Sequence, residues 1–253
     1  MSGSRQLLFG MYLDAMRMDE VIDKCRAALN TRSRLMLGVV NAAKIVNLRK
    51  DTQLRDSLIE CDLLLADGQS VVWASKLFRR PLPERVAGID IFQRLLRLAN
   101  DEERSIALLG ARPEVLSRLE NVIAERFPKA RIVFSRNGYF GAAESAEIAA
   151  GIRDSAADIL FIGMTSPLKE IFLATHAASL GVPILHGVGG SFDVMAGLTR
   201  RAPLGWQKVG MEWAYRVLLE PRRLWWRYLS TNTRFIQLTA VEAIRPARAF
   251  RHS

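Results

Sequence analysis

The chain has 253 residues, of which 49% are hydrophobic and 25% charged. Those fractions lie near globular averages and exclude a disordered, collagen-like or low-complexity protein. The formal net charge is +10, and +8 of it falls from Arg200 onward, where eleven basic side chains meet three acidic ones. Two cysteines, Cys25 and Cys61, are too few for a disulfide framework and fit a reducing compartment.

Residues 1–16 do not read as a signal peptide. The apolar run Leu7–Leu13 is short, contains Gly10 and is followed by Asp14 and Asp19. Arg34–Val40 reads as a strand, followed by helices near Ala42–Arg49 and over 51–60. Leu63–Ala66 is a short buried strand, Gln69–Phe78 is helical, and a loop with Pro81 and Pro83 precedes a helix from about Gly88 to Asn100. Ser105–Leu109 is the next strand. Pro113–Phe127 is a helix with Val115, Leu116, Leu119, Val122, Ile123 and Phe127 on one face. Strand Arg131–Phe134, a helix around 143–153, strand Asp158–Gly163, helix Pro167–Leu180 and strand Pro183–Val188 complete the series. Ile171–Phe192 carries no charge over 22 residues, but Gly181-Val182-Pro183 divides it into helix and strand, so no membrane span is expected.

Strands apolar on both faces that alternate with helices predict an α/β fold, with mostly parallel sheet(s) covered by helices. Residues 1–203 form the expected α/β core, either one domain or two Rossmann-like lobes that share an interface, at about 1–103 and 104–203. Residues 204–253 form a basic, aromatic helical appendage. In such folds ligands bind outside the carboxyl ends of the strands. The loops there are 40–42, 66–69, 109–113, 163–167 and 187–193.

Asp67 follows Leu63–Ala66 and precedes Gly68. A carboxylate where a buried strand emerges is partly desolvated, which raises its proton affinity toward use as a general base. Asp-Gly also serves turns and helix caps, and by itself the position reads first that way. Gly110 and Gly187–Gly190 lie between strand and helix, where bare backbone N–H groups can approach a phosphate. Neither run is a Rossmann or Walker motif, so tight packing explains them equally. Arg85 and Arg112 beside these loops suit a diphosphate or simple solvation. HExxH, CxxC, EF-hand and GxSxG motifs are absent, no two aspartates are separated by one residue, and His176, His186 and His252 lack ligand spacing. No cofactor and no metal site are expected.

The loops in order are similar to one family. Val40-Asn41-Ala42, Leu65-Ala66-Asp67-Gly68, Leu82-Pro83-Glu84-Arg85-Val86-Ala87-Gly88-Ile89-Asp90, Leu108-Leu109-Gly110 and Asn137-Gly138-Tyr139-Phe140 carry the first half. Ala157-Asp158-Ile159-Leu160, Gly187–Asp193, Arg201-Ala202-Pro203, Glu212-Trp213-Ala214-Tyr215-Arg216 and Glu220-Pro221-Arg222-Arg223-Leu224 carry the rest. Over roughly residues 35–235 the chain resembles the WecG/TagA/CpsF glycosyltransferases, glycosyltransferase family 26.

The resemblance implies inverting, metal-independent transfer of a hexose or N-acetylhexosamine, of N-acetylmannosamine or glucose type. The donor would be a UDP-sugar and the acceptor a polyprenyl-diphosphate-linked glycan, at the inner face of the cell membrane. It makes Asp67 the candidate base, with Asn41 orienting sugar or acceptor. Arg85 would meet phosphates, and Gly187, Gly189, Gly190 and Asp193, with Gly110, Gly138 and Tyr139, would hold the nucleotide. Two positions depart from the family pattern: Val39 stands where Thr is usual, and Leu168-Lys169 where Lys-Gln is usual. Lys169 joins the substrate-binding set as the replacement for that Gln.

The tail places Met211, Ala214, Tyr215, Leu218 and Leu219, then Leu224, Trp225, Tyr228 and Leu229, at helical spacing among arginines. Such a helix suits an anionic membrane interface, nucleic-acid phosphate, or a solvated terminal hairpin. The resemblance favours the membrane and adds that Arg216, Arg222 and Arg223 complete the diphosphate site. Truncation after Pro203 is then expected to abolish liposome binding and cut transfer while leaving the core folded. Homo-oligomer formation would run through the core. The competing readings are a non-catalytic nucleotide-binding α/β protein and a nucleic-acid-binding protein using the tail. The near-neutral body and the lack of a nucleic-acid motif argue against the second.

Overall fold

The computed structural model describes residues 4–208, 210–219 and 221–251, apart from the side chains of residues 204, 208, 216, 219, 223, 224 and 227. The chain opens with a hairpin, β1 (Arg5–Leu8) and β2 (Met11–Asp14), and continues through α1 (Met18–Thr31), β3 (Leu35–Val40), α2 (Ala42–Asn47) and α3 (Thr52–Ile59). Next come β4 (Leu63–Ala66), α4 (Gln69–Leu77), α5 (Gly88–Asp101), β5 (Ser105–Gly110), α6 (Pro113–Arg126) and β6 (Arg131–Arg136). Then follow α7 (Ser145–Asp154), β7 (Ile159–Gly163), α8 (Leu168–His176), β8 (Ile184–Gly187) and α9 (Ser191–Met195). The C-terminal helices are α10 (Leu204–Lys208), α11 (Glu212–Leu219) and α12 (Pro221–Ile244).

Six strands form one parallel sheet in the order β4-β3-β8-β7-β5-β6. Strands β3 and β4 from the first half and β5–β8 from the second share it, with β8 hydrogen-bonded between β3 and β7. Alternation along each strand feeds both faces. In β5, Ile106 and Leu108 join a core with α1, α5 and α6, whereas Ala107 and Leu109 join the opposite core with α7 and α8. Phe92 of α5 anchors the first core, 4.7 Å from the ring of Phe161 and 5.6 Å from that of Phe192. The uncharged stretch 171–192 is divided between α8, β8 and α9, and no helix among the described residues is long and apolar enough to cross a membrane.

Helix α8 stops at His176, short of the expected Leu180, and Asp158 lies just outside β7. The Asp158 carboxylate accepts hydrogen bonds from the Ser105 N–H (2.9 Å) and from Arg32 (3.0 Å), tying the amino ends of β5 and β7 to the end of α1. The hairpin and α1 were not among the expected elements. Phe9-Gly10 turns the hairpin with both residues at positive φ (54° and 84°).

That hairpin receives the end of the chain. The Phe250 N–H donates to the Gly10 carbonyl at 2.8 Å, and a Cβ on Gly10 would lie 2.6 Å from the Phe250 ring. Only glycine permits that approach. The Glu242 carboxylate accepts from the N–H groups of Phe9 (3.3 Å) and Ala247 (3.1 Å), and the Phe235 ring sits 5.4 Å from that of Phe9. Phe235 belongs to the core beside α2 and α4. The charge boundary near residue 204 and the packing therefore do not coincide, because the last part of the basic arm covers Phe9.

Candidate active site

Parallel pairing of β3 and β4 sets Val40 opposite Ala66, which brings the two following loops together. The Asp67 N–H donates to the Val40 carbonyl at 2.8 Å, and a Cβ on Gly68 would lie 3.3 Å from that of Asn41. Asn41 is the N-cap of α2, its side-chain oxygen accepting from the Lys44 N–H at 3.1 Å. A side-chain oxygen there satisfies an otherwise unpaired helix N–H group. Asp67 Oδ1 accepts from the Gly88 N–H at 3.2 Å, so the carboxylate faces the first turn of α5. Burial pushes the Asp67 carboxyl above its ordinary value, opposed by Arg85, Lys44 and that N–H, and reinforced by Glu212. Gly88 lies beside Val39, where a Cβ on the glycine would be 3.4 Å from a Val39 methyl. Val39 therefore packs against the residue that donates to Asp67.

A half-buried and a buried ammonium group, those of Lys44 and Lys169, share one carboxylate oxygen next to this loop. Lys44 Nζ lies 2.8 Å from Glu170 Oε1 and donates to the Val39 carbonyl at 2.6 Å, and Lys169 Nζ contacts the same Glu170 oxygen. Lys169 and Glu170 are only 6% and 7% exposed, so this is an interior ion cluster. Burial would raise the Glu170 carboxyl, but the two ammonium groups outweigh it and hold the group down at about 2. Burial and then Lys44 push Lys169 down to about 8, against the pull of Glu170 and Asp67. The stem of Lys169 runs under the β8 loop, where a Cβ on Gly187 would meet it at 3.0 Å.

Arg85 reaches Glu212 of α11 at 2.8 Å and Asp90 of α5 at 3.7 Å. Arg201 closes the ring, 2.6 Å from Asp90 and 3.4 Å from Glu212. His186 in β8 is fully buried, with Nε2 3.0 Å from the Gly88 carbonyl, and burial pushes it down to about 4. It is a neutral core group, as its place in a strand suggested.

The glycine loops gather at the crevice where the connections diverge: β5 leads by α6 outward to β6, and β7 leads by α8 inward to β8. Gly110 has φ +128°, and a Cβ there would fall 2.6 Å from the Gly163 carbonyl carbon. The Gly138 N–H donates to the Ala111 carbonyl at 3.0 Å, placing Gly138 against Gly110. Tyr139 beside it is 70% exposed. Gly187 ends β8, the N–H groups of Val188 and Gly189 both donate to the Ile162 carbonyl, and Asp193 sits half-buried in α9. A shallow concavity of about 350 Å³ between α6 and β6 lies beyond Asn137, but Ser135 and Glu120 within it already pair with each other. The convergent charge is at Asp67.

Family comparison now adds to the geometry. The model of the WecG/TagA/CpsF glycosyl transferase family matches residues 6–249. The chain belongs to that family. This WecG/TagA/CpsF member is therefore a glycosyltransferase of cell-surface polysaccharide synthesis, acting on a sugar donor and an acceptor.

Of the residues singled out from the sequence of this family member, Asn41, Asp67, Arg85 and Lys169 come together at the carboxyl ends of β3, β4 and β7. Gly110, Gly138 and Tyr139 form a second group at β5 and β6, with Gly187, Gly189, Gly190 and Asp193 at β8. Arg222 is exposed on α12, while the side chains of Arg216 and Arg223 lie outside the described residues. Arg112, weighed as a phosphate ligand, is an exposed N-cap of α6. Sequence reasoning missed Lys44, Glu170, Asp90, Arg201 and Glu212 as site neighbours. Lys44 three residues after the Asn41 cap, and Glu170 next to Lys169, were the available signals. Nothing local in sequence links Arg85 to Arg201 and Glu212.

Proposed function

We propose that the chain transfers a hexose or N-acetylhexosamine from a UDP-sugar to a polyprenyl-diphosphate-linked acceptor, with inversion at the anomeric carbon. The observation that carries this reading is the half-buried carboxylate of Asp67 at the carboxyl end of β4, held by the Gly88 N–H and set near Arg85, Lys44 and Lys169, with its proton affinity raised by burial. Asp67 takes the proton of the acceptor hydroxyl as its oxygen bonds to C1 of the sugar. The bond from C1 to the diphosphate oxygen breaks, and its electron pair leaves on UDP. One displacement from the opposite face inverts C1. A base whose pKa is lifted toward working pH is suited to this step. Fixed cations near the leaving oxygen stabilise charge as it develops. The scheme calls for no cofactor and no resident metal.

UDP is assigned to the loops with Gly110, Gly138, Tyr139, Gly187, Gly189, Gly190 and Asp193, where bare backbone N–H groups suit phosphate. Trp225, Trp226 and Leu229 are exposed on α12 beside Arg222. An exposed apolar and basic helical face of this kind suits an anionic bilayer, where the lipid-linked acceptor is embedded.

The test measures UDP release over a panel of UDP-sugars, with and without a short polyprenyl-diphosphate-sugar acceptor. One donor should give acceptor-dependent release, and Asp67→Ala should lower it by about 10²–10⁴-fold, the usual worth of a general base, while UDP binding persists. Absence of release with every donor would leave a nucleotide-binding protein instead. Undiminished release by Asp67→Ala would remove Asp67 from the mechanism.

A further inference from the structure

The ring of Arg85, Glu212, Arg201 and Asp90 contains an anion site that is already filled. Glu212 offers one oxygen to each guanidinium, Oε2 to Arg85 at 2.8 Å and Oε1 to Arg201 at 3.4 Å. A phosphate presents its oxygens to paired arginines in the same way. Arg201 Nη2 is buried and has no hydrogen-bond partner among the described residues, leaving a donor that the two-oxygen carboxylate does not use. A phosphate has a third oxygen to offer.

The two carboxylates differ in how firmly they are held. Asp90 stands in the first turn of α5, followed by Ile91 and Phe92, both fully buried. Glu212 begins α11, whose Trp213 and Leu218 are exposed at 39% and 67%. The turn before α11 lies over the cleft: Gly210, at φ +68°, packs so closely on α4 that a Cβ there would be 2.3 Å from that of Gln69. Gln69 is two residues past Asp67. The beginning of α11 thus covers the loop of the proposed base and is pinned through Glu212.

We propose that Arg85 and Arg201 form a two-guanidinium diphosphate site, that Glu212 occupies it in the resting chain, and that diphosphate entry displaces Glu212 and frees the start of α11. This rests on the reading above only in that a diphosphate reaches Arg85. Asp90 remains as the fixed counter-ion that orients both guanidiniums. Losing Glu212 leaves two positive charges against one negative, which matches a diphosphate. The entering diphosphate brings more negative charge than the carboxylate it replaces.

The experiment titrates the full chain with inorganic pyrophosphate and with UDP by calorimetry, comparing wild type, Glu212→Gln and Arg201→Gln. Removal of a competing charged hydrogen bond should tighten pyrophosphate binding about tenfold in Glu212→Gln, and loss of the second guanidinium should weaken it about tenfold in Arg201→Gln. Hydrogen exchange on the wild type needs no variant: amides of residues 211–219 should exchange faster when pyrophosphate is saturating. Equal or weaker binding by Glu212→Gln, or unchanged or slower exchange in α11, would overturn the latch. Neither measurement requires sugar transfer. If pyrophosphate opens α11 but no UDP-sugar is consumed, the latch stands and the proposed reaction falls. If transfer proceeds but Glu212→Gln weakens binding, the reverse holds.

Discussion

The α/β body and the C-terminal helices place their charge and their apolar surface in opposite ways. In the body, apolar side chains fill both faces of the sheet, the ion cluster of Lys44, Glu170 and Lys169 lies beside Asp67 at its carboxyl edge, and buried Asp158 is paired at its amino edge. In the C-terminal helices, Trp225, Trp226, Ile236, Val241 and Ile244 are exposed at 59–80%. Among the described residues the arm is fastened near its start, by Glu212 to Arg85 and Arg201 and by Gly210 against Gln69, and near its end, by Phe235, Glu242 and Phe250 to the N-terminal hairpin. A segment held at two points can present an apolar face between them without folding as a separate core. The chemistry is proposed to lie at the carboxyl edge of the sheet, and contact with a bilayer on the exposed face of the arm.

Separating the two regions by mutation sharpens this contrast. The largest effect is expected at Asp67→Asn, with transfer down by about 10²–10⁴-fold and no change in flotation with anionic vesicles. A parallel loss of vesicle binding would mean that the two regions are not separable. Next comes Phe235→Ala, which should cost about 3–5 kcal/mol of unfolding free energy as a large-to-small core substitution. This revises the sequence-based view of truncation after Pro203: it also strips Phe235 and Glu242 from Phe9 and Phe250 from Gly10, so the shortened chain should melt well below the full one. An unchanged Tm for both would show that the hairpin contact contributes nothing.

Smaller changes probe the exposed face. Each basic side chain at an anionic surface adds about 1 kcal/mol, so Arg222→Gln should weaken vesicle binding about fivefold without moving Tm. Trp226→Ser should weaken it further at high salt, where the apolar contribution remains after screening. Binding insensitive to both would separate α12 from the membrane. A separate effect, on stability alone, is expected in acid. Glu170 titrates at about 2 in the fold against an ordinary 4.5, so its contribution is complete above 4.5 and is lost as pH falls toward 2. Denaturant melts of wild type and Glu170→Gln should therefore converge through that window. A constant gap would mean that the two lysines do not stabilise its charged form.

Local pattern was sufficient where one element decides its own state. Leu63–Ala66 is a strand with the bounds that four consecutive apolar residues before Asp67-Gly68 predict, and Pro113 opens α6 as a proline in a first helical turn should. Asp67 stood out as a candidate base only through the resemblance, since Asp-Gly after a buried strand reads first as a turn or helix cap. The hairpin was not, since Leu7–Leu13 owes its turn to Phe9-Gly10 and its stability to Phe235 and Phe250, more than 220 residues away. Asn41 was read for chemistry and proves first to be a helix cap, a role its residue type permits but does not require.

The sequence by itself determined the alternation of elements from β3 onward, the α/β class, the family and the loops at the carboxyl ends of the strands, because hydrophobic period, turn residues and motif order are local properties. Tertiary structure alone decided which charges meet. Lys44 shares Glu170 with Lys169 because β3 and β7 both flank β8, and Arg85 meets Glu212 because the arm folds back across 127 residues. Charge pairing depends on distance and on exclusion of water, and neither exists until the sheet has closed and the arm has docked.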